Sequence, residues 1–164
     1  MEHTINKDPL TRAAVEIFVG EKSSYYLDKW DEHQNSKFKG WNWAAGVFAA
    51  EWMAYRKMYV EALLYLIFIV AISFALNMLF RLWGISIAGE LIAQIFRILA
   101  GLLGNILYQN KVLRVLRKTS NISDSDRIRV MRKKGGVSIV AIIVMHLIGF
   151  WGVFMIPSII MMSS

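Results

Sequence analysis

ELIAQIFRILAGLLGNILY, residues 90–108, reads as a helix made for lipid, yet Arg97 stands near its middle and Glu90 two turns before it. At about 1.5 Å of rise per residue, an apolar run of this length crosses a hydrocarbon core of about 30 Å. A charged Arg at mid-bilayer costs about 2.5–3.5 kcal/mol on insertion scales, so it requires a partner or water. One side of this helix must therefore avoid lipid.

Helical spacing identifies that side. At about 100° per residue, Ser86, Glu90, Gln94, Arg97, Gly101, Gly104 and Tyr108 share a narrow face, while Gly89, Ala93, Ala100 and Gly104 line its edge. Helical side chains lean toward the N-terminus, which tilts Arg97 toward Glu90 with Gln94 between them. Small residues along the edge favour close helix contact. Depth counting adds polar groups from elsewhere. Arg97 and His146 fall near the midplane, Glu90 and Asn77 nearer one surface, and Glu61 and Asn105 nearer the other. Two readings of the stripe stand at this point. It packs as a satisfied hydrogen-bond network inside a three-helix bundle, or it lines a water-filled path that needs several copies to enclose.

The surrounding chain carries the same signature. Of 164 residues, 56% are hydrophobic, and the mean hydropathy is +0.43. The apolar excess lies in long blocks after residue 58. The expected class is all-α and integral to a membrane. Transmembrane helices span 60–80, 84–108 and 137–160, with Pro157 near the end of the third. An interfacial aromatic helix over 41–59 and a short soluble segment over 1–40 precede them. The rival count is four spans, with 41–59 fully inserted. The N-terminus, MEHTINKDPLTRAAVEIFVGEK, lacks the early apolar core of a signal peptide.

Charge sets the threading. The net charge is +7, but residues 1–58 balance eight basic against eight acidic side chains. Residues 109–135 hold nine Lys and Arg against Asp124 and Asp126. Basicity confined to one loop between apolar blocks is a topology signal rather than a nucleic-acid surface. The positive-inside rule then puts the N-terminus and the 109–135 loop in the cytoplasm and the MMSS tail outside, in the cell inner membrane. Lys111, Arg114, Arg117 and Lys118 extend the second helix beyond the bilayer. SNISDSDR, residues 120–127, is a turn that caps a further short helix ending at Arg132, Lys133 and Lys134 before Gly135-Gly136. These seven bases are expected to contact anionic lipid, at about 1 kcal/mol each.

In the N-terminal segment, SSYYLDKWDEHQ, residues 23–34, suits a short amphipathic helix with Tyr26, Trp30 and His33 on one side. NSKFKG, residues 35–40, reads as a turn. In WNWAAGVFAAEWMAYRKMY, residues 41–59, the aromatic residues Trp41, Trp43, Trp52, Tyr55 and Tyr59 suit the headgroup zone, and Arg56 and Lys57 serve as anchors. His146 has no second ligand at helical spacing, so no metal is expected and a buried, hydrogen-bonded imidazole is the default. The chain has no cysteine. No nucleophile–base–acid set and no phosphate-binding glycine loop is visible, so no cofactor and no catalytic residue are expected.

Several motifs form a wider pattern: Tyr25-Tyr26 with Lys29, Trp41 to Ala45, Tyr55 to Tyr59, Gly104-Asn105 with Tyr108, and Gly135-Gly136-Val137. In these the chain resembles a bacterial domain family of unknown function found in small integral-membrane proteins. The resemblance touches most of residues 25–138. It implies a membrane protein and brings no catalytic residues. The family pattern has a Gly-Pro pair where this chain has Ala49-Ala50, a departure expected to make 41–59 more continuously helical.

The expected function is thus a non-enzymatic membrane protein, associating with itself or with another membrane protein and not with nucleic acid. It assembles into something channel-like through the second span. The alternative is an accessory subunit that docks a partner through the aromatic helix and the basic loop.

Overall fold

A computed structural model describes residues 9–33, 35–84 and 89–150. Among them the chain forms eight α-helices and one short 3-10 turn, with no strand. They divide into two compact units, one from the chain up to Trp43 together with Gly101–Val137, the other from Ala44–Ala100 together with the chain from Ser138.

The first unit is built from two helical stretches distant in sequence. Helix α1, Pro9–Val19, buries Ala14, Val15, Phe18 and Val19 on one stripe and pairs Arg12 with Glu16 one turn apart at 3.4 Å. Gly20, at φ +77°, turns the chain through Gly20–Lys22 into α2, Ser23–Glu32. The expected amphipathic helix is present there, with Tyr26, Leu27 and Trp30 buried and His33 at its end. The centre of this unit is Tyr108, which is fully buried. Its ring meets Tyr26 edge-on at 4.9 Å, Trp30 at 6.0 Å and Phe18 at 6.4 Å.

Tyr108 belongs to α6, Gly89–Lys118. As the sequence suggests, this helix runs on through the basic residues; Val112, Val115 and Leu116 add to the core. Helix α7, Asp124–Lys134, is capped by Ser123, whose Oγ accepts from the Asp126 amide at 3.3 Å. It packs on α1 through the buried Met131. Beyond it, the Gly136 amide donates to the Phe18 carbonyl at 2.7 Å, and a Cβ on Gly135 would collide with the Phe18 backbone.

The second unit holds three longer apolar helices and two short ones. Helix α5, Tyr59–Arg81, coincides within a residue at each end with the span expected at 60–80 and buries only Ala62 and Ile69. Its remaining large apolar side chains, Val60, Leu63, Leu64, Ile67, Phe68 and Phe74 among them, are exposed. The early part of α6 also belongs here. Helix α8, Ile139–Phe150, is the described part of the third apolar block; residues 151–160, with Pro157, lie outside the described residues. Ser138 caps α8, its Oγ accepting from the Ala141 amide at 3.3 Å. Two helices, Tyr59–Arg81 and Leu91–Lys118, are long and apolar enough to cross a membrane, and Ile139–Gly149 is apolar but shorter.

Residues 41–59 differ from the single helix expected of them. They form α3, Trp43–Phe48, and α4, Ala50–Tyr55, broken at Ala49, whose φ is 40° and ψ −104°. A second left-handed residue, Lys57 at φ 58°, reverses the chain into α5. Glycine suits a positive φ, and proline suits the first residue of a helix. Ala49 and Ala50 supply neither, and burial of Ala50, Trp52, Met53 and Ala54 holds α4 in place.

Candidate functional site

Helix α4 packs against both α5 and α8. The Ser138 amide donates to the Tyr55 carbonyl at 2.9 Å, fixing the start of α8 against the end of α4. One turn earlier in α4 and two turns later in α8, His146 Nδ1 stands 3.2 Å from Glu51 Oε1. With its proton on Nδ1, the imidazole donates to the carboxylate. The two helices thus run antiparallel, with this pair at the other end of their contact. The carboxylate side chain is 29% exposed and the imidazole 71%.

One further polar group, Tyr65, lies near Glu51. Tyr65 on α5 is close enough to feel the charges of both Glu51 and Arg97, and its ring meets Phe96 edge-on at 5.9 Å. Arg97, the residue after Phe96, is exposed on α6, as is Gln94 one turn before it. Four helices of this unit therefore contribute one polar side chain each: Glu51, Tyr65, Arg97 and His146. Such a set can hold and pass a proton between imidazole and carboxylate. It contains no activated nucleophile, and among the described residues no group of three or more acidic, His or Cys side chains is placed to hold a metal ion.

His146 is the residue whose surroundings the sequence reading missed. It is neither alone nor buried; its partner lies 95 residues away, on the segment read as interfacial. Helical spacing along α8 has no means of revealing a partner on α4. A polar residue inside each of two apolar segments was the only available signal.

The remaining stripe residues separate. Asn105 is fully buried in the first unit. Its Oδ1 accepts from Asn42 Nδ2 at 2.8 Å, and its Nδ2 donates to the carbonyls of Lys39 and Gly40 at 3.0 and 3.1 Å. The Asn42 amide donates to the Gly101 carbonyl at 2.9 Å. A Cβ on Gly101 would stand 2.6 Å from the Trp41 ring, so this end of the small edge admits the 39–42 segment. Asn77 donates to the Ser73 carbonyl of its own helix at 2.8 Å and joins no cluster in the described structure. The backbone of Glu90 lies in α6, while its side chain, and Ser86 altogether, lie outside what is described.

The aromatic segment divides similarly. Trp43 and Tyr59 are exposed, Trp41 rests edge-on to Trp43 at 5.6 Å, and Trp52 is buried. Arg56 is also buried, with its guanidinium 5.6 Å from the Tyr55 ring centre. Of the basic residues, Lys111 lies over the Phe18 ring at 5.4 Å, whereas Arg114, Arg117, Lys118, Arg132, Lys133 and Lys134 are exposed.

Compared with known proteins, residues 11–114 match the family described as a protein of unknown function, DUF2628. That match covers more than half of the chain and ends before the Gly135–Val137 motif. No curated protein and no solved structure matches.

Proposed function

The chain belongs to the DUF2628 family, whose function is unknown, and from that premise we propose that it is a non-enzymatic integral membrane protein that self-associates through the Gln94–Arg97 face of α6 into a channel-like assembly. The reading has three spans, a cytoplasmic N-terminus and an external C-terminus, in the cell inner membrane. The exposed apolar side chains of α5 support the membrane. Each, about half-exposed, costs about 1–1.5 kcal/mol if left in water. The six named above would together cost on the order of 10 kcal/mol, comparable to the whole stability of a typical domain at about 5–15 kcal/mol. Lipid removes that cost.

The observation that carries self-association is Arg97, an exposed cation on a helix whose neighbouring Leu91, Ile95, Ile98 and Leu99 are also exposed. Lipid suits the leucines and isoleucines and penalises the guanidinium. A second copy that places its own Gln94 and Glu51–His146 pair nearby satisfies both. A ring of such faces encloses a polar axis lined by Arg97.

The test is the oligomeric state in lipid nanodiscs, followed by ion flux in vesicles. A closed oligomer whose flux changes with Arg97→Leu is expected. A monomer, or unchanged flux with the oligomer intact, overturns the proposal. A second reading, an accessory subunit that docks a partner, is favoured by the separately cored helical unit and its exposed bases. It requires one stoichiometric partner that is lost on changing Trp43 or the α7 bases.

A further inference from the structure

The outward face of α7 carries an inference of a different kind. At about 100° per residue, Ser125, Ile128, Arg129, Arg132 and Lys133 fall on one side of this helix. These same five residues line a shallow hollow. The opposite side, with Val130 and the buried Met131, is turned inward, and Arg127 reaches Thr11 of α1 at 3.4 Å. The hollow therefore contains three cations, one hydroxyl and one exposed aliphatic side chain, with no acid. Asp126, at its edge, touches one end of the Arg129 fork at 3.7 Å, and the Arg129 side chain remains 82% exposed.

We propose that this face is a binding site for the phosphate headgroup of an anionic phospholipid. Three arguments on the molecule favour that occupant. The cations suit a phosphodiester, with the two guanidiniums able to grip its oxygens in pairs. Ile128, 40% exposed among them, suits the glycerol and first methylenes of a lipid. Only four residues of chain, Gly135 to Ser138, separate the last base of α7 from the apolar helix α8, five residue steps or about 18 Å at full extension. Because the apolar side of α7 is already used against α1, the helix has no face to insert. Binding is electrostatic and headgroup-directed, unlike that of an amphipathic helix that buries itself. The site needs the membrane part of the preceding reading to bring headgroups within reach. It does not need self-association, so a monomer in nanodiscs leaves it standing.

The experiment uses the full chain in dodecyl maltoside, titrated with fluorescent short-chain phosphatidylglycerol and phosphatidylcholine at low and high salt. Phosphatidylglycerol is expected to bind more tightly, with the preference lost at high salt. The variant R129Q/R132Q/K133Q should bind it about a hundredfold more weakly, and Arg132→Gln alone about fivefold, following about 1 kcal/mol per base. A control, K22Q/K37Q, removes charge from exposed positions elsewhere and should change binding less than about twofold. Thermal unfolding of each variant checks that the fold is kept. Equal loss in triple variant and control, no preference over phosphatidylcholine, displacement by inorganic phosphate at comparable concentration, or tighter capture of a short oligonucleotide or an acidic peptide would each overturn the proposal.

Discussion

Replacing Asn105 tests the first unit more sharply than removing any apolar residue. The Asn105 amide is used at both ends: its oxygen accepts from Asn42 and its nitrogen donates to the carbonyls of Lys39 and Gly40. Asn105→Ala removes all three bonds and leaves a buried amide and two buried carbonyls without that partner. At about 1 kcal/mol net for each lost bond, the cost is about 3 kcal/mol. For a small domain that corresponds to roughly 10–20 °C in melting temperature. Asn105→Asp is nearly isosteric, yet it should be worse than alanine. It keeps the acceptor for Asn42 and places a carboxylate oxygen where the nitrogen stood, facing two carbonyl oxygens at 3.0 and 3.1 Å. Thermal unfolding in detergent, followed by near-UV circular dichroism of the buried Tyr and Trp residues, gives the ranking. Wild type above alanine above aspartate is expected. An aspartate variant as stable as wild type would refute the assigned orientation of the amide and the clamp with it.

Two other substitutions probe the backbone. Gly135→Ala drives a methyl into the Phe18 backbone, which has no flexible end to yield. It should cost about 1–3 kcal/mol and loosen α7, read as faster tryptic cleavage after Arg129 and Arg132. Conversely, Ala49→Gly should stabilise the second unit by up to about 1 kcal/mol. Glycine reaches the φ of 40° by mirror symmetry, and an L-side chain there is strained. A fall in melting temperature would mean that the Ala49 methyl contributes more to packing than its backbone geometry costs.

Much of the helical plan is legible in residue periodicity. The long apolar helix near 60–80, the amphipathic helix from residue 23, the extension of α6 through its bases and the Ser123 cap are all local signals, and a local signal survives without knowledge of the fold. What escapes is whatever depends on a distant partner. Periodicity alone assigns Tyr108 to the same face as Arg97, and depth counting alone places Asn105 beside Glu61 near one surface. Their actual partners, Asn42, Tyr26 and Phe18, lie more than sixty residues earlier. The break at Ala49 was also hidden, because two alanines favour helix and nothing nearby interrupts it. Only the packing of α4 on α5 and α8 overrides that preference. The Glu51–His146 pair belongs to the same class: each residue is visible alone, while their meeting is set by α4.

The aromatic cluster around Tyr108 also has a history within each newly made chain. Phe18, Tyr26 and Trp30 emerge from the ribosome early, and the ring that completes their cluster follows some eighty to ninety residues later. At bacterial and eukaryotic elongation rates of about 5–20 residues per second, that interval is roughly 4–18 s. Throughout it, the apolar stripe of α1 and the aromatic side of α2 lack the helix they are shaped to cover. Synthesis therefore imposes an order on the molecule: both ends of an intervening segment must be in place before the start of the chain can close around Tyr108. During those seconds that apolar and aromatic surface stays uncovered, and slowing elongation before residue 108 prolongs its exposure.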